Sequence, residues 1–375
     1  VWECAMDGKQ IYLIELYDTV QDNGDDWFVK DDRVWVKIVS INDAPGSVGY
    51  CFEVEEGTPV FTVGTTGILT HNCRLRLDKR EILKRGGGLF GSAEKTGSIG
   101  VCTLNLPRIA YLAKDEDDFF TLLDKYMVLA KDGLEIKRVF LQKQLDRGLL
   151  PAFMEYVGTL RNHFSTIGLV GMNEMCVNLF GEGIVSEKGH SFSVRVLDYM
   201  NERIADFQEE TGNLYNTEQS PAESCAHRLA LLDRVEFGDS IFTQGDQAPY
   251  YTNSCHLPVN QVESITQLLD HQDELQTKFS GGSVVHLYLG NSISGDKAKH
   301  IVRTVCNNYH IPYLSLSPVY SICPTHKFIS GYHETCPHCG EPTEAYQRVT
   351  GYIRQISKFN PGKKAEFKDR RQLNV

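Results

Sequence analysis

The segments "GSVVHLYLG" (residues 282–290) and "PYLSLSPVY" (residues 312–320) are short, apolar and typical of β-strands. A helical pattern over residues 296–309 lies between them. Strand, helix and strand in this order indicate an α/β architecture, which we expect to extend over the larger part of the chain.

Further helical patterns lie on the N-terminal side of this unit, at residues 192–211, 150–165 and about 116–144. Before them, "GGGLFGSAEKTGSIG" (residues 86–100) is rich in glycine, which predicts a flexible loop. At the other end, the tail from residue 359 is strongly charged, and we expect it to wrap over the surface.

The first 72 residues have a different character. "RVWVKIVSI" (33–41), "GYCFEVE" (49–55) and "PVFTVGTTGILT" (59–70) are short β-type segments separated by turn residues. This pattern predicts a small all-β unit that ends at residue 72.

Composition limits the classes of function. The 375 residues suffice for two or three domains, and because the chain begins at Val1 we expect a fragment or a processed piece. With 38 basic and 49 acidic residues the net charge is −11, and no basic stretch suggests nucleic-acid binding. No run of 18 apolar residues and no signal peptide is visible, so we expect a cytoplasmic protein without membrane contact. The eleven cysteines lack disulfide spacing, which favours a reducing compartment with metal-binding and catalytic thiols.

The triplet His71-Asn72-Cys73 stands at the end of the β-type region. An Asn side chain can attack its own carbonyl carbon and break the peptide bond, while a neighbouring His protonates the leaving amide. A following Cys can carry the acyl group as a thioester. Two interpretations are open: a chance triplet between two domains, or a site where the backbone is cut and rejoined.

The residues around this triplet extend the pattern. "VGTTGILTHNC" (63–73) resembles the C-terminal splice junction of inteins, and "GYCFEVEEGTPVFTVG" (49–64) resembles the motif just upstream of it. Residues 1–72 are thus similar to the C-terminal part of an intein, with a Hint-like all-β fold. Where many inteins have a His in the upstream motif, this chain has Thr58 or Pro59, and the nucleophile of an intein N-terminus is not visible.

Near the C-terminus, "CPTHKFISGYHETCPHC" has the spacing C-x2-H-x9-C-x2-C. Two short knuckles of this kind can bring four ligands to one tetrahedral zinc ion. Four ligands leave no open position, so the predicted role of the zinc is structural; the alternative is a set of free surface thiols. The ligands are Cys323, His326, Cys336 and Cys339.

The segment "RVTGYIR" (348–354) follows within a dozen residues. Taken alone, its Gly351 is a candidate turn residue. The motif also resembles the radical site of glycyl radical enzymes, where a planar carbon radical lies between an amide nitrogen and a carbonyl. With the cysteine knuckles just upstream, the chain resembles the anaerobic (class III) ribonucleoside-triphosphate reductases.

Other segments carry the same resemblance, which covers residue 73 to about residue 370: they lie at 86–113, 168–174, 249–259 and 281–290. It implies the C-terminal half of such an enzyme and the following domains. Residues 73–320 would form part of the glycyl-radical-enzyme α/β barrel, residues 321–345 the zinc-binding knuckles, and residues 346–375 the glycyl-radical loop and tail.

The resemblance also implies roles for single residues. Cys73, which precedes an Arg as in the family, would form the thiyl radical after Gly351 removes its hydrogen. Asn105 would donate or accept a hydrogen bond in the active site. Cys102 lies three residues earlier, on the opposite face of a regular strand; a second redox thiol and a buried small hydrophobe are both open for it.

The implied partners are a ribonucleoside triphosphate substrate, a radical-SAM activating enzyme with a [4Fe–4S] cluster, formate or a thiol-redox protein as reductant, and a second copy in a homodimer. The leading hypothesis is therefore an oxygen-sensitive reductase in a precursor that undergoes protein splicing. The alternatives are a self-processing splicing module on a catalytically incomplete fragment, and a zinc-stabilised binding protein with an inactive radical site.

Overall fold

The computed structural model describes residues 27–30, 33–36, 60–63, 68–71 and 96–373 of the chain. The chain divides into two compact units, Val1–Arg74 and Leu75–Val375. No helix within the described residues has both the length and the apolar character needed to cross a bilayer.

The described residues of the smaller unit are all β-strands. They form two antiparallel pairs, in which Trp27 lies opposite Val36 and Val60 lies opposite His71. The predicted strand at 49–55 lies outside the described residues. The strands are β1 (Trp27–Lys30), β2 (Arg33–Val36), β3 (Val60–Val63) and β4 (Ile68–His71).

In the larger unit, helices alternate with three parallel strands paired in chain order. The elements are β5 (Gly97–Asn105), α1 (Leu106–Leu112), α2 (Glu116–Asp146), α3 (Pro151–Tyr156), β6 (His163–Val170), α4 (Met172–Phe180), α5 (Glu187–Thr211) and β7 (Leu214–Glu218).

Two further parallel strands follow, with a helix between them, which confirms the predicted strand–helix–strand unit. A four-stranded antiparallel sheet and a C-terminal helix complete the chain. The elements are α6 (Ser224–Phe237), α7 (Ile265–Thr277), β8 (Val285–Leu289), α8 (Gly295–Asn308), β9 (Leu314–Pro318), β10 (Tyr320–Cys323), β11 (Lys327–Ser330), β12 (Glu344–Arg348), β13 (Ile353–Gln355) and α9 (Pro361–Asp369).

The two parallel sheets are joined by backbone hydrogen bonds. Gly281 N donates to Thr217 O at 2.6 Å, and Gln219 N donates to Gly282 O at 3.1 Å, so the segment before β8 pairs with the end of β7. Among the described residues the five parallel strands form one open array, in which β5 and β9 are not paired with each other. The predicted α/β class is therefore confirmed, whereas a closed barrel stays a prediction.

The helices cover one face of this array. Successive strand residues point to opposite faces, and the residues that enter the main hydrophobic cluster, such as Leu104, Ile167 and Leu287, share one of them. The residues that alternate with them are mostly polar, and we call their side the polar face of the array. It comprises Thr103, Asn105, Thr166, Asn216, His286, Tyr288, Ser315 and Ser317.

Two predicted elements differ from the structure. The helix predicted over residues 150–165 ends at Tyr156, because Gly158 adopts a φ of 75° and its N–H caps Phe153 O at 2.9 Å. Strand β6 then begins at His163. The prediction of a flexible loop over residues 86–100 was wrong for residues 97–100, because they belong to β5, which pairs with β6.

Two glycines provide a matched test of this packing. A Cβ on Gly168 in β6 would lie 1.8 Å from Ser220 Oγ, whereas a Cβ on Gly133 in α2 would meet nothing within 4 Å. Gly168→Ala should lower the free energy of unfolding by about 1–3 kcal/mol because the interior is overpacked. Gly133→Ala should raise it by about 0.5–1 kcal/mol, the helix cost of glycine. Denaturant unfolding followed by helical circular dichroism measures both, and a stabilising Gly168→Ala would contradict this packing.

Candidate active site and metal centre

Gly351 lies in the turn between β12 and β13. The turn is closed by a hydrogen bond from Val349 N to Tyr352 O at 2.9 Å, and Gly351 itself is buried. Gly351 is not among the described glycines with a positive φ, so the local backbone does not require a glycine by its φ. The glycine at this position must therefore be explained by something other than its backbone φ angle.

Arg348 anchors this turn on the polar face of the array. Its Nη1 donates to Gly351 O at 2.6 Å, and its Nε donates to Ser317 Oγ at 3.2 Å. Ser317 belongs to β9 and is buried. The carbonyl next to the Gly351 α-carbon is thus fixed by a charged donor that also contacts the array.

A second arginine holds the residues that precede the turn. The guanidinium of Arg370, which is fully buried, donates to Gln347 Oε1 at 3.0 Å, to Arg348 O at 2.9 Å and to Val349 O at 2.9 Å. Its centre lies 3.9 Å from the ring centroid of Tyr288. One side chain therefore connects the C-terminal segment with three consecutive residues before Gly351.

The charge of Arg370 is balanced by buried neighbours on α9. Glu366 Oε1 accepts from Arg370 Nη2 at 2.7 Å, and Glu366 Oε2 accepts from Lys363 Nζ. Burial acts to raise the pKa of Glu366, but Lys363 and Arg370 outweigh it and hold that pKa below its usual range. The prediction that the charged tail wraps over the surface was wrong for one face of the tail, because residues 363, 366 and 370 share that face and pair in the interior, while Lys364 and Lys368 are exposed.

Asn105 stands at the end of β5 and caps helix α1. Its Oδ1 accepts from Arg108 N at 3.4 Å, and its Nδ2 donates to Asp233 Oδ2 at 2.8 Å. Asp233 is fully buried and also accepts from Tyr251 OH at 2.6 Å. Burial, together with Asp233, raises the pKa of Tyr251, so this hydroxyl remains a donor. The amide of Asn105 is therefore fixed in one orientation on the polar face.

Cys102 lies on the other side of the same strand. It pairs in register with Ile167 and packs against the main hydrophobic cluster. Burial raises the pKa of its thiol, against the opposing charge of Lys137. The structure thus separates Cys102 from Asn105 by the thickness of the array.

The four predicted metal ligands lie together. Cys323 ends β10, His326 follows in the connection to β11, and Cys336 and Cys339 belong to a second knuckle. Gly340 N donates to Cys336 O at 2.8 Å, and Gly340 has a φ of 76°, which lets this knuckle turn sharply.

The ligand atoms have the spacing of a tetrahedral site. Cys323 Sγ lies 3.6 Å from Cys339 Sγ and 3.8 Å from His326 Nδ1, and Cys336 Sγ lies 3.5 Å from His326 Nδ1. All four ligand atoms lie within 4.8 Å of one another. Tetrahedral bonds of about 2.3 Å to sulfur and about 2.0 Å to nitrogen require edges of roughly 3.5–3.8 Å. The residues therefore fit one metal ion with four protein ligands.

The residues of the predicted splice junction are not all described. His71 is the last residue of β4, where only its backbone is described, and Asn72 and Cys73 lie outside the described residues. Of the predicted site residues, the structure therefore groups the four metal ligands, places Gly351 and Asn105 in hydrogen-bonded settings, and sets Cys102 apart.

Comparison with known proteins identifies the family of the chain. The family model described as anaerobic ribonucleoside-triphosphate reductase matches residues 50–373. The chain belongs to this family. The family consists of oxidoreductases, and the match begins upstream of Cys73, so it overlaps the last part of the predicted intein segment.

Individual reductases show how much of the family's length is present. The anaerobic ribonucleoside-triphosphate reductase of Haemophilus influenzae is 26% identical over 302 residues, or 73% of this chain and 42% of that protein. That of Escherichia coli is 27% identical over 301 residues, with the same shares. That of Enterobacteria phage T4 is 26% identical, and 48% of it is covered. The chain thus spans less than half the length of these relatives.

Solved structures give the same result. An anaerobic ribonucleotide reductase superposes with a TM-score of 0.65 at 27% identity, over 75% of this chain and 46% of that chain. The Thermotoga maritima enzyme with glycerol in the active site gives a TM-score of 0.62 at 27% identity, over 72% and 44%. The mixed α/β fold of the chain matches that of these reductases.

Several residues of the candidate site were not predicted from the sequence. Lys363, Glu366 and Arg370 have helical spacing, which is a weak signal because such charge runs are usually solvated. Asp233 and Tyr251 carry no local signal. Asp233 contacts Asn105 across 128 residues, and Tyr251 reaches this site only through its hydrogen bond to Asp233, so both contacts depend on the fold.

Proposed function

We propose that this chain carries the radical-bearing C-terminal half of an anaerobic ribonucleoside-triphosphate reductase. The observation that carries the proposal is the buried turn of Gly351, which two arginines hold against the polar face of the array. A glycine whose φ is not positive, held this firmly, is what a stored backbone radical would need. A side chain would hinder the planar α-carbon radical that the amide and carbonyl stabilise.

The reaction would move one hydrogen atom at a time. The Gly351 radical would take the hydrogen of Cys73 Sγ–H, leaving a thiyl that removes the 3′ hydrogen of the ribonucleotide. The 2′ hydroxyl would then take up a proton and leave as water, and formate or a thiol-redox protein would supply the two electrons, with a second proton giving the new hydrogen at C2′. Return of the hydrogen to C3′ would regenerate the thiyl and then the glycyl radical.

Asn105 would bind the substrate from the polar face. Its amide is already fixed by Asp233 and by Arg108 N, so it needs little reordering when a ligand binds. Of the two roles left open for Cys102, its place in the hydrophobic cluster supports packing and not redox chemistry.

The substrate and partners of the whole enzyme form part of the proposal. The Thermotoga maritima reductase has been solved with dATP bound in the specificity site and in complex with dATP and CTP. We infer ribonucleoside triphosphates as substrates, a radical-SAM activating enzyme that installs the radical, and a cytoplasmic homodimer.

The metal of the Cys323–Cys339 site would be zinc, because three thiolates and one imidazole at tetrahedral spacing are typical zinc ligands. It would serve the fold: Cys323 ends β10, and β10 pairs with β12, the strand that leads to Gly351.

The junction at Asn72 would be a splice site. In support, β3 and β4 form an antiparallel pair that ends at His71, and the smaller compact unit ends at Arg74. Asn72 would cyclise, His71 would protonate the leaving amide, and Cys73 would serve splicing first and reduction afterwards. Because the family match begins at residue 50, residues 50–72 carry both assignments, and only cleavage can separate them.

The zinc proposal predicts about one zinc ion per chain, as in other four-ligand structural sites. Cys336→Ser and Cys339→Ser should each lose the ion and lower the melting temperature, because metal binding contributes to folding. Cys306→Ser removes an exposed thiol outside the site and serves as the matched control. Metal analysis by mass spectrometry checks this, and a folded wild-type chain without zinc would contradict it.

The splicing proposal predicts that Asn72→Ala abolishes cleavage of the 72/73 bond, since the substituted side chain cannot cyclise. His71→Ala should only slow it, because proton transfer by a positioned side chain contributes roughly 10²–10⁴-fold. Intact-mass measurement of the purified products follows both. Equal cleavage by Asn72→Ala and by the unaltered chain would rule the mechanism out.

The radical proposal predicts a glycyl-type paramagnetic doublet after anaerobic activation of the complete enzyme, and chain cleavage at Gly351 in air. Gly351→Ala should lose the signal and the turnover. Cys73→Ser should keep the signal and lose turnover, because an O–H bond is too strong to give its hydrogen to a glycyl radical.

Two cysteine variants provide the controls for this experiment. Cys306→Ser removes an exposed thiol and should change neither readout. Cys102→Ala should retain turnover if this residue only packs in the core. Turnover by Cys73→Ser would disprove the proposed relay, and an activated chain that oxygen leaves uncut would disprove the glycyl assignment.

A further inference from the structure

We propose that Arg370 is a positioning residue for the Gly351 turn: it fixes residues 347–349 so that the Gly351 α-carbon stays where hydrogen transfer can occur. The contacts come from the structure alone, and only their catalytic meaning rests on the proposed function. A single guanidinium can do this because its planar group donates to Gln347 Oε1, Arg348 O and Val349 O at the same time.

Arg370 is itself held in place from two sides. Glu366 Oε1 accepts from it at 2.7 Å, and the ring of Tyr288 lies 3.9 Å from the guanidinium centre. The Arg370 side chain is fully buried, so its orientation is fixed before any ligand or partner is present. Arg370 therefore contacts residues 347–349 from a fixed orientation.

These contacts are not needed merely to dock the C-terminal helix. Asn360 Nδ2, at the start of α9, donates to Glu223 O at 3.0 Å, and Gly362 packs closely against His227 of α6. Both contacts hold α9 on α6 without Arg370. Among the described residues, the side-chain hydrogen bonds of Arg370, apart from the one to Glu366, go to residues 347–349, which precede Gly351.

Geometry gives these contacts a catalytic consequence. Hydrogen transfer requires the donor and acceptor atoms in contact, and a misplacement of about 1 Å can cost roughly 10²-fold in rate. Arg348 fixes the carbonyl of Gly351 from one side, and Arg370 fixes the backbone of Arg348 and Val349 from the other. Loss of Arg370 would release the turn while leaving Gly351 itself unaltered.

Two variants separate positioning from stability. Arg370→Lys keeps a cation beside Glu366 but cannot reach the three acceptors together. Lys363→Met is the matched control: it also removes one ion-pair partner of Glu366 from the same buried helix face, but within the described part of the chain Lys363 makes no hydrogen bond to residues 347–349. The unfolding midpoint of each variant is measured, so that any difference can be corrected for global stability.

The first measurement uses this chain as it stands. Hydrogen–deuterium exchange in residues 346–352 should be at least roughly tenfold faster in Arg370→Lys than in Lys363→Met. Local opening of this segment must break the charged hydrogen bonds of Arg370 in the unaltered chain, and the variant lacks them, so opening costs less free energy. Equal exchange in the two variants, or unchanged exchange in Arg370→Lys, overturns the proposal. Should Arg370→Lys fail to fold, Gln347→Met removes one acceptor and leaves α9 unaltered, and a smaller increase is expected.

The second measurement uses the complete reductase after anaerobic activation. Turnover divided by the spin count of the doublet should fall roughly 10²-fold in Arg370→Lys, since the radical forms but is misplaced. A merely structural defect would lower both together and leave the ratio unchanged, which overturns the proposal. If the unaltered enzyme gives no doublet at all, the proposed function fails, while the exchange result still decides whether Arg370 holds the turn.

Discussion

The alternation of side chains along the parallel strands is the constraint on which the rest of the structure depends. Helices bury one face of the array, so every second strand residue is committed to the core. The intervening residues face the other side, where Asn105 donates to Asp233 and Ser317 accepts from Arg348. A shift of one residue in register would exchange Asn105 with Leu104 and remove the site altogether.

Buried charge is the second constraint, and it is concentrated where the Gly351 turn meets the C-terminal helix. Removing one partner of a buried ion pair is strongly destabilising, whereas the intact set contributes little net stability compared with apolar residues. Lys363, Glu366 and Arg370 are therefore poorly explained as a device for stability. They are better explained by geometry, because a guanidinium offers five donors in a fixed plane and an apolar side chain offers none.

Sequence reasoning reached the parts of the molecule whose signals are local. The strand–helix–strand unit around β8 and β9 was predictable because its periodicity changes over a few residues, and the metal ligands were predictable because C-x2-H and C-x2-C place both ligands of a knuckle in one turn. The inward-facing tail was not, because a charged face is solvated unless tertiary contacts supply partners, as Arg370 finds in residues 347–349. The C-terminal end of α3 and the start of β5 were also not predicted. The pairing of β5 with β6, which are distant in sequence, determines where β5 begins and where the chain after α3 becomes a strand.

The turn of Gly351 is thus held from two directions by different chemistry. On one side, the candidate metal ligands Cys323 and His326 flank the turn between β10 and β11, and Cys336 and Cys339 lie beside them. Strand β10 in turn aligns β12 through the pairs Ser321–Ala345 and Ile322–Glu344. On the other side, Arg370 donates hydrogen bonds to Gln347 and Arg348 at the end of β12 and to Val349 just after it. Pairing with β10 alone would leave the end of β12 next to Gly351 free to move. The Arg370 guanidinium alone would not set the direction of β12. Together they fix both the direction and the position of the segment that carries the buried Gly351, which is what the proposed transfer of a single hydrogen atom to and from this residue would require.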